Sequence, residues 1–338
     1  MRIMRNPLVK MCFVLAAGIV PAAAQTGWKV IDTFHVGGEG GWDYVTMDAT
    51  HHRLFVTRST HTQAIDEATG AVLSDIPGQV RSHGVALVPA IGRGFIADGG
   101  GTGAIIVFDL KTYAVLGKIP AVPDSDGIIY DEKQNRVVVV SGDGDELLTF
   151  SPEIDPANGK LDPPIPLGGA PEFLAADDSG KVYVNLEDKN LVAVVDLNLR
   201  KVIARWPVTP GGRPVGMAID PVAHLLFVGC RNPQILVIMN ADNGAIEASL
   251  PIGAGVDATG LDSGKAFASA GDGTLTIAAQ KDGEWVVEET VTTPKGARTM
   301  GVDTSTHRIY LPTAEMESDA TGKPRPKPGT FMMIEVGH

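Results

Sequence analysis

Cysteine is nearly absent from this chain of 338 residues: Cys12 falls in an apolar N-terminal stretch and Cys230 is the only other. With that stretch set aside, no internal disulfide can form, so stability has to come from packing and closure. Closely spaced His-x-x-x-His and Cys-x-x-Cys pairs are missing, which removes the common zinc motifs. No apolar run reaches the roughly 20 residues of a spanning helix, and no segment carries a helical period. Positive charge is scarce as well. The 28 Lys and Arg face 40 Asp and Glu, for a formal net charge of −12, which disfavours the non-specific binding of nucleic acid or anionic membrane that depends on cations. Nothing gives reason to expect haem, flavin or nicotinamide.

What is present begins with Arg2, Arg5 and Lys10 ahead of apolar residues 11–20, then Ala22-Ala23-Ala24 before Gln25. That pattern is a signal peptide over residues 1–24, and it implies a periplasmic or secreted protein. Its removal takes three cations and no acid, so the mature chain is more acidic still. The composition, 44% hydrophobic and 20% charged with 40 Gly and 23 Pro, is that of a globular, turn-rich chain.

A repeat organises residues 25–338 into one domain. Its marker is a turn followed by an apolar strand: His52-Arg53-Leu54-Phe55-Val56, Gly92-Arg93-Gly94-Phe95-Ile96, Asn135-Arg136-Val137-Val138-Val139, Gly180-Lys181-Val182-Tyr183-Val184, His224-Leu225-Leu226-Phe227-Val228, Gly264-Lys265-Ala266-Phe267-Ala268 and His307-Arg308-Ile309-Tyr310-Leu311. These seven copies recur at intervals of 40 to 45 residues, the length of a four-stranded propeller blade. Six copies are preceded by a short apolar strand ending at Asp48, Asp131, Asp177, Asp220, Asp262 or Asp303. The fold class is all-β, a seven-bladed β-propeller. The last copy runs out after its third strand, so the apolar strand at residues 28–36 is expected to complete it and close the ring. His52, His224 and His307 share a turn slot with three Gly and one Asn, which points to a backbone of positive φ and a structural role.

Two insertions exceed the repeat. Residues 151–168 lie between outer strands of the third blade, and residues 312–329 lie within the seventh. The run Lys323-Pro324-Arg325-Pro326-Lys327-Pro328 reads first as a stiff surface loop of polyproline character, and otherwise as a lid or docking strap.

The strands Lys181-Val182-Tyr183-Val184-Asn185 and Val192-Ala193-Val194-Val195-Asp196, with Tyr310-Leu311-Pro312-Thr313-Ala314 and Gly329-Thr330-Phe331, resemble the YVTN-repeat β-propeller family and, more narrowly, its exported YncE-like members. The resemblance spans nearly all of the mature chain, although Gly229-Cys230 and Ser269-Ala270 stand where it would place Asn. It implies the propeller fold and leaves function open among binding proteins, lactonases, lyases and parts of redox enzymes.

In a propeller, the loops entering the innermost strands open on one face around the channel mouth. The residues there are Asp43, His83, Asp126, Glu172, Arg213, Asp257 and Arg298. Neighbouring loops add Arg58, His61, Asp98, Glu187 and Arg231, and Trp42 and Tyr44 are placed to line the channel. The carboxylates with His83 could hold a divalent metal. Arg213 and Arg298 could clamp a carboxylate or phosphate, and His83 or His61 could serve as a base oriented by Asp43 or Asp98. The same charges could equally be ion pairs tying blades together. Gly99-Gly100-Gly101-Thr102-Gly103 lacks the lysine and helix of a phosphate loop, and Ser141-Gly142-Asp143-Gly144-Asp145 lacks the later Glu of a calcium loop, so both read as turns. The expectation is an exported module that binds a small polar ligand or a protein partner at its mouth. The alternative is a lactonase-like hydrolase or a lyase acting there. The chain itself is expected to be a monomer.

Overall fold

The computed structural model describes residues 27–177, 179–319 and 321–338. The signal segment read at residues 1–24 lies outside the described residues. Seven four-stranded antiparallel sheets follow one another along the chain. Each runs from an innermost strand outward, as in the second blade: Ser82–Val88, Arg93–Asp98, Ala104–Asp109 and Val115–Pro120. Consecutive innermost strands touch around a closed ring.

The seventh sheet has the order Gly301–Asp303, Arg308–Thr313, Met332–Gly337 and then Lys29–His35 from the other end of the chain. The register runs from Lys29 opposite Gly337 to His35 opposite Met332. No seam is left with an unpaired edge, which is how a propeller avoids templating the addition of another strand.

Apolar clusters fill the gaps between blades. Phe95, Val107, Val137, Val139 and Phe150 belong to the cluster joining the second blade to the third, with the rings of Phe95 and Phe150 at 5.3 Å. Each fully buried Phe contributes about 1.5–3 kcal/mol by leaving water. The turn slot behaves as the residue mix implies: φ is 52° at His52, 51° at Asn135, 56° at His224 and 58° at His307, with glycine in the left-handed region at the other three copies.

Residues 312–329 depart from the polyproline expectation. Met316–Ser318 and Pro324–Pro326 pair as an antiparallel ribbon, Glu317 opposite Arg325. The prolines are tolerated because this two-stranded ribbon has no further neighbour to receive their missing N–H groups. Ion pairs Arg325–Glu317 and Lys327–Glu315, each at 2.7 Å, run along it. Within residues 151–168, Ile165–Pro166 is the short fourth strand of the third blade, and the loop before it reaches the second blade, where Arg93 donates to the Pro152 and Ile154 carbonyls and Ile154 and Leu161 pack on the apolar cluster.

Candidate functional site

One feature of the innermost strands aims the charged side chains. The register against the second strand slips between Ser82 and Val85, between Ser125 and Ile128, between Pro171 and Leu174, between Pro214 and Met217, and between Val256 and Ala258. These are bulges at the channel mouth, and a bulge frees its residue from the ladder and turns its side chain away from the regular alternation. His83, Asp126, Glu172 and Asp257 all sit in them. Glycine follows the first two. A Cβ at Gly127 would meet Leu174 Cδ2 at 2.8 Å and the Glu172 carbonyl oxygen at 3.0 Å, so adjacent bulges nest against one another only because Gly127 has no side chain.

The result is a cup of about 380 Å³ to which every blade sends a charged side chain: Asp43, His83, Asp126, Glu172, Arg231, Asp257 and Arg298 in blade order. Tyr44 lines the cup, while Phe173 lines the apolar shaft beneath with Val45, Val85, Ile128 and Met300. The rings of Tyr44 and Phe173 touch at 4.8 Å, so they mark the boundary between charged cup and apolar shaft.

Within the cup the charges sort into two groups. On one side Asp257 is held by two guanidiniums, Arg298 Nε donating at 2.7 Å and Arg231 Nη2 in a short contact. Burial raises the Asp257 carboxyl, and Arg298 and Arg231 oppose the rise. On the other side Nδ1 of His83 lies 2.6 Å from Asp43 Oδ2 and 3.4 Å from Asp126 Oδ1. Burial alone would lower the His83 pKa, but the Asp43 hydrogen bond and the Asp126 and Asp43 charges outweigh it and hold it above its ordinary value. Asp126 is pushed up to about 7, first by burial and then by the neighbouring carboxylates, against the pull of His83. Glu172 is pushed up to about 9 by burial, by a hydrogen bond with Glu187 and by the charge of Asp126. Five carboxylates, Asp43, Asp124, Asp126, Glu172 and Asp257, face three guanidiniums, Arg81, Arg231 and Arg298, with His83 among them. The cup therefore carries an excess of acid.

Six of the seven residues read at the strand entries converge here: Asp43, His83, Asp126, Glu172, Asp257 and Arg298. Arg213 does not join them. It stands at the rim, paired to Glu187 at 2.7 Å, and Arg231 fills the fifth blade's place instead. His61 lies outside the cup, 3.7 Å from Asp75.

Arg58 corrects its placement at the mouth more sharply. It is fully buried, its guanidinium donates to the carbonyls of Gly37, Glu39, Gly40 and Gly41 and to Gln63, and its charge sits 3.6 Å from the ring centre of Phe331. Every donor is engaged, so the side chain shapes the loop before Trp42 and faces no ligand. Asp98 is likewise buried, receiving the backbone N–H groups of Val80 and Arg81 and the Lys118 ammonium. Asp188 and Asp272 accept from Ala170 and Ala254 in the same way, which makes this position a loop latch in several blades.

Two charged cup residues lay outside the reading of the sequence, Arg81 and Asp124, which pair at 2.8 Å. The dipeptides His83-Gly84 and Asp126-Gly127 at the strand entries are the sequence signal of the bulges, an ionisable residue followed by the glycine that lets the next blade approach.

No family model matches the chain, and no curated protein matches it by sequence. The solved structures do. A chain of the hydrazine synthase of Kuenenia stuttgartiensis is similar at 12% identity, with 81% of this chain and 92% of that one covered and a TM-score of 0.70. The WD40 β-propeller domain of Doa1 is similar at 13% identity, over 93% and 98% of the two chains, with a TM-score of 0.72. A chain of the mitotic checkpoint complex is similar at 13% identity, over 96% and 98%, with a TM-score of 0.73. These likenesses establish the propeller fold and carry no function across.

Proposed function

We propose that the chain is an exported, YncE-like propeller that binds a small polar ligand, or a charged side chain of a protein partner, in the cup at its channel mouth. Export rests on residues 1–24, and the narrower family assignment on the strand motifs around Tyr183 and Tyr310. The observation that carries the binding reading is the convergence of one charged side chain from each blade on a single cavity. Ion pairs that merely tied neighbouring blades would balance acid against base. The cup instead keeps an acid excess, and Nε2 of His83 is buried without a partner. Propellers commonly serve as such scaffolds.

The ligand chemistry that fits is cationic or zwitterionic. An ammonium would meet Asp43, Asp126 and Glu172, and a carboxylate would reach the guanidiniums of Arg231 and Arg298. The test is a thermal-shift and calorimetric panel in chelator with 1,4-diaminobutane, lysine and gluconate. The diamine and lysine are expected to bind, and Glu172→Gln with Asp126→Asn to abolish that binding. Failure of all three probes, or binding unchanged in the double variant, would remove the reading.

One observation favours the enzymatic alternative, a hydrolase of lactone type or a lyase. His83 is oriented through Nδ1 by Asp43 at 2.6 Å, an Asp-His pairing of the kind found in general bases. Turnover of lactones by the full chain, lost in His83→Gln, would move the assignment there.

A further inference from the structure

We propose that Asp43, His83 and Asp126 form a site for one first-row divalent cation at the acidic side of the cup. The inference rests on the binding reading above and names a ligand for it.

Three residues entering three successive blades supply one nitrogen and two carboxylate donors, with donor atoms within 4.8 Å of one another. Ligands held 2.0–2.2 Å from a common ion stand about 3–4.4 Å apart, so the 2.6 Å contact between His83 and Asp43 would open by a few tenths of an ångström and a donor pair at the 4.8 Å limit would close by as much. Two further observations are independent of that spacing. The His83 side chain is only 9% exposed, and Oδ1 of Asp126, 3.4 Å from its Nδ1, is buried without a hydrogen-bond partner. Buried polar atoms are almost always satisfied, and exceptions call for a bound species. The second is the composition of the cup, five carboxyl groups against three guanidiniums, which favours a cation at its acidic side. Binding exchanges that ion for protons: the metal takes the place of the proton held between His83 and the two aspartates, and those protons leave to solvent.

The mixed nitrogen and oxygen set suits Mn2+ or Zn2+. Ca2+, which takes six to eight oxygens, is a poor fit. The remaining positions face the cup, lined by Tyr44, Glu172 and Asp257, where a ligand could complete the coordination.

A second cluster of the same residue types, His52, Glu67 and Asp303, lies at the outer turns. Its oxygens are already taken. Glu67 Oε1 receives Tyr310 and Thr306 and Oε2 meets His52, while Asp303 receives Ser305 and Thr306. It serves as the internal control.

The experiment is equilibrium dialysis of the chelator-stripped full chain against micromolar Mn2+ or Zn2+, with metal counted by elemental mass spectrometry. Close to one ion per chain is expected, with Ca2+ not retained. Asp126→Asn and His83→Gln should weaken retention at least tenfold while keeping a folded circular dichroism spectrum, and His52→Ala should leave it unchanged. Pulsed electron paramagnetic resonance of the Mn2+-loaded wild type should show coupling to an imidazole nitrogen, a readout that needs no variant. No uptake, uptake in the two cup variants equal to that of the wild type, loss in His52→Ala, or a spectrum without nitrogen coupling would each overturn the proposal. The ligand panel runs in chelator, so a failed metal site leaves its result standing.

Discussion

The carboxylate of Asp43 accepts a hydrogen bond from Nδ1 of His83 at 2.6 Å across a separation of forty residues, one blade's length of chain. That contact joins the entrance of the first blade to the bulge of the second. The Asp43 carbonyl also accepts from Thr299 Oγ1 of the seventh blade at 2.8 Å, so Asp43 ties both of its neighbours to the cup. The orientation of His83 thus depends on closure of the ring.

The acid-rich cup should make the metal-free protein less stable as pH rises. Burial pushes Asp126 up to about 7 and Glu172 up to about 9, and His83 is raised against its burial by Asp43 and Asp126. A folded pKa above the unfolded one means that the native state binds protons more tightly. The stability so gained is complete below the unfolded value and is lost as pH climbs through the folded value. Melting temperatures in chelator should therefore fall between about pH 5 and pH 9, the range these groups span. Glu172→Gln should flatten the upper part of that fall. Circular dichroism melts across the range decide it, and a melting temperature that climbs with pH would contradict the assignment.

Arg58 should be worth more to folding than its place in a loop suggests. Replacing it by Ala strands four backbone carbonyls and the Gln63 amide oxygen that its guanidinium now satisfies. Breaking a buried charged network of this kind costs about 3–5 kcal/mol. Lysine should rescue only in part, since one ammonium cannot reach five acceptors laid out for a planar fork. Urea unfolding of the two variants measures both effects. A loss within about 0.5 kcal/mol for Arg58→Ala, the range of ordinary surface changes, would show that the loop before Trp42 holds itself.

Cys230 should be inert in the native protein. It is fully buried, and burial pushes its thiol up to about 12, so the reactive thiolate is absent at neutral pH. A disulfide reagent should label it only after denaturation, at a rate set by opening of the fifth blade. Prompt labelling of the folded chain would place the thiol elsewhere.

The amino-acid sequence determined the ring itself. Turn and strand periodicity are local properties: a left-handed turn slot selects Gly, Asn or His wherever it recurs, and alternate apolar residues mark the strands. Counting such slots yields seven blades, and a last copy short of one strand calls for the apolar segment near the N-terminus, which pairs from Lys29 to His35 with one bulge at Ile31. Six of the mouth residues were legible for the same reason, because they stand at one fixed position of the repeat. Only the tertiary structure decided that Arg231 and not Arg213 completes the cup, that Arg58 turns inward to a cage of carbonyls, and that residues 312–329 form a paired ribbon. Those outcomes depend on the bulges and on which neighbouring backbone offers a carbonyl or a carboxylate. Such partners lie from five to more than two hundred residues away in the chain, and a repeat does not encode where a side chain turns once its strand has left the ladder.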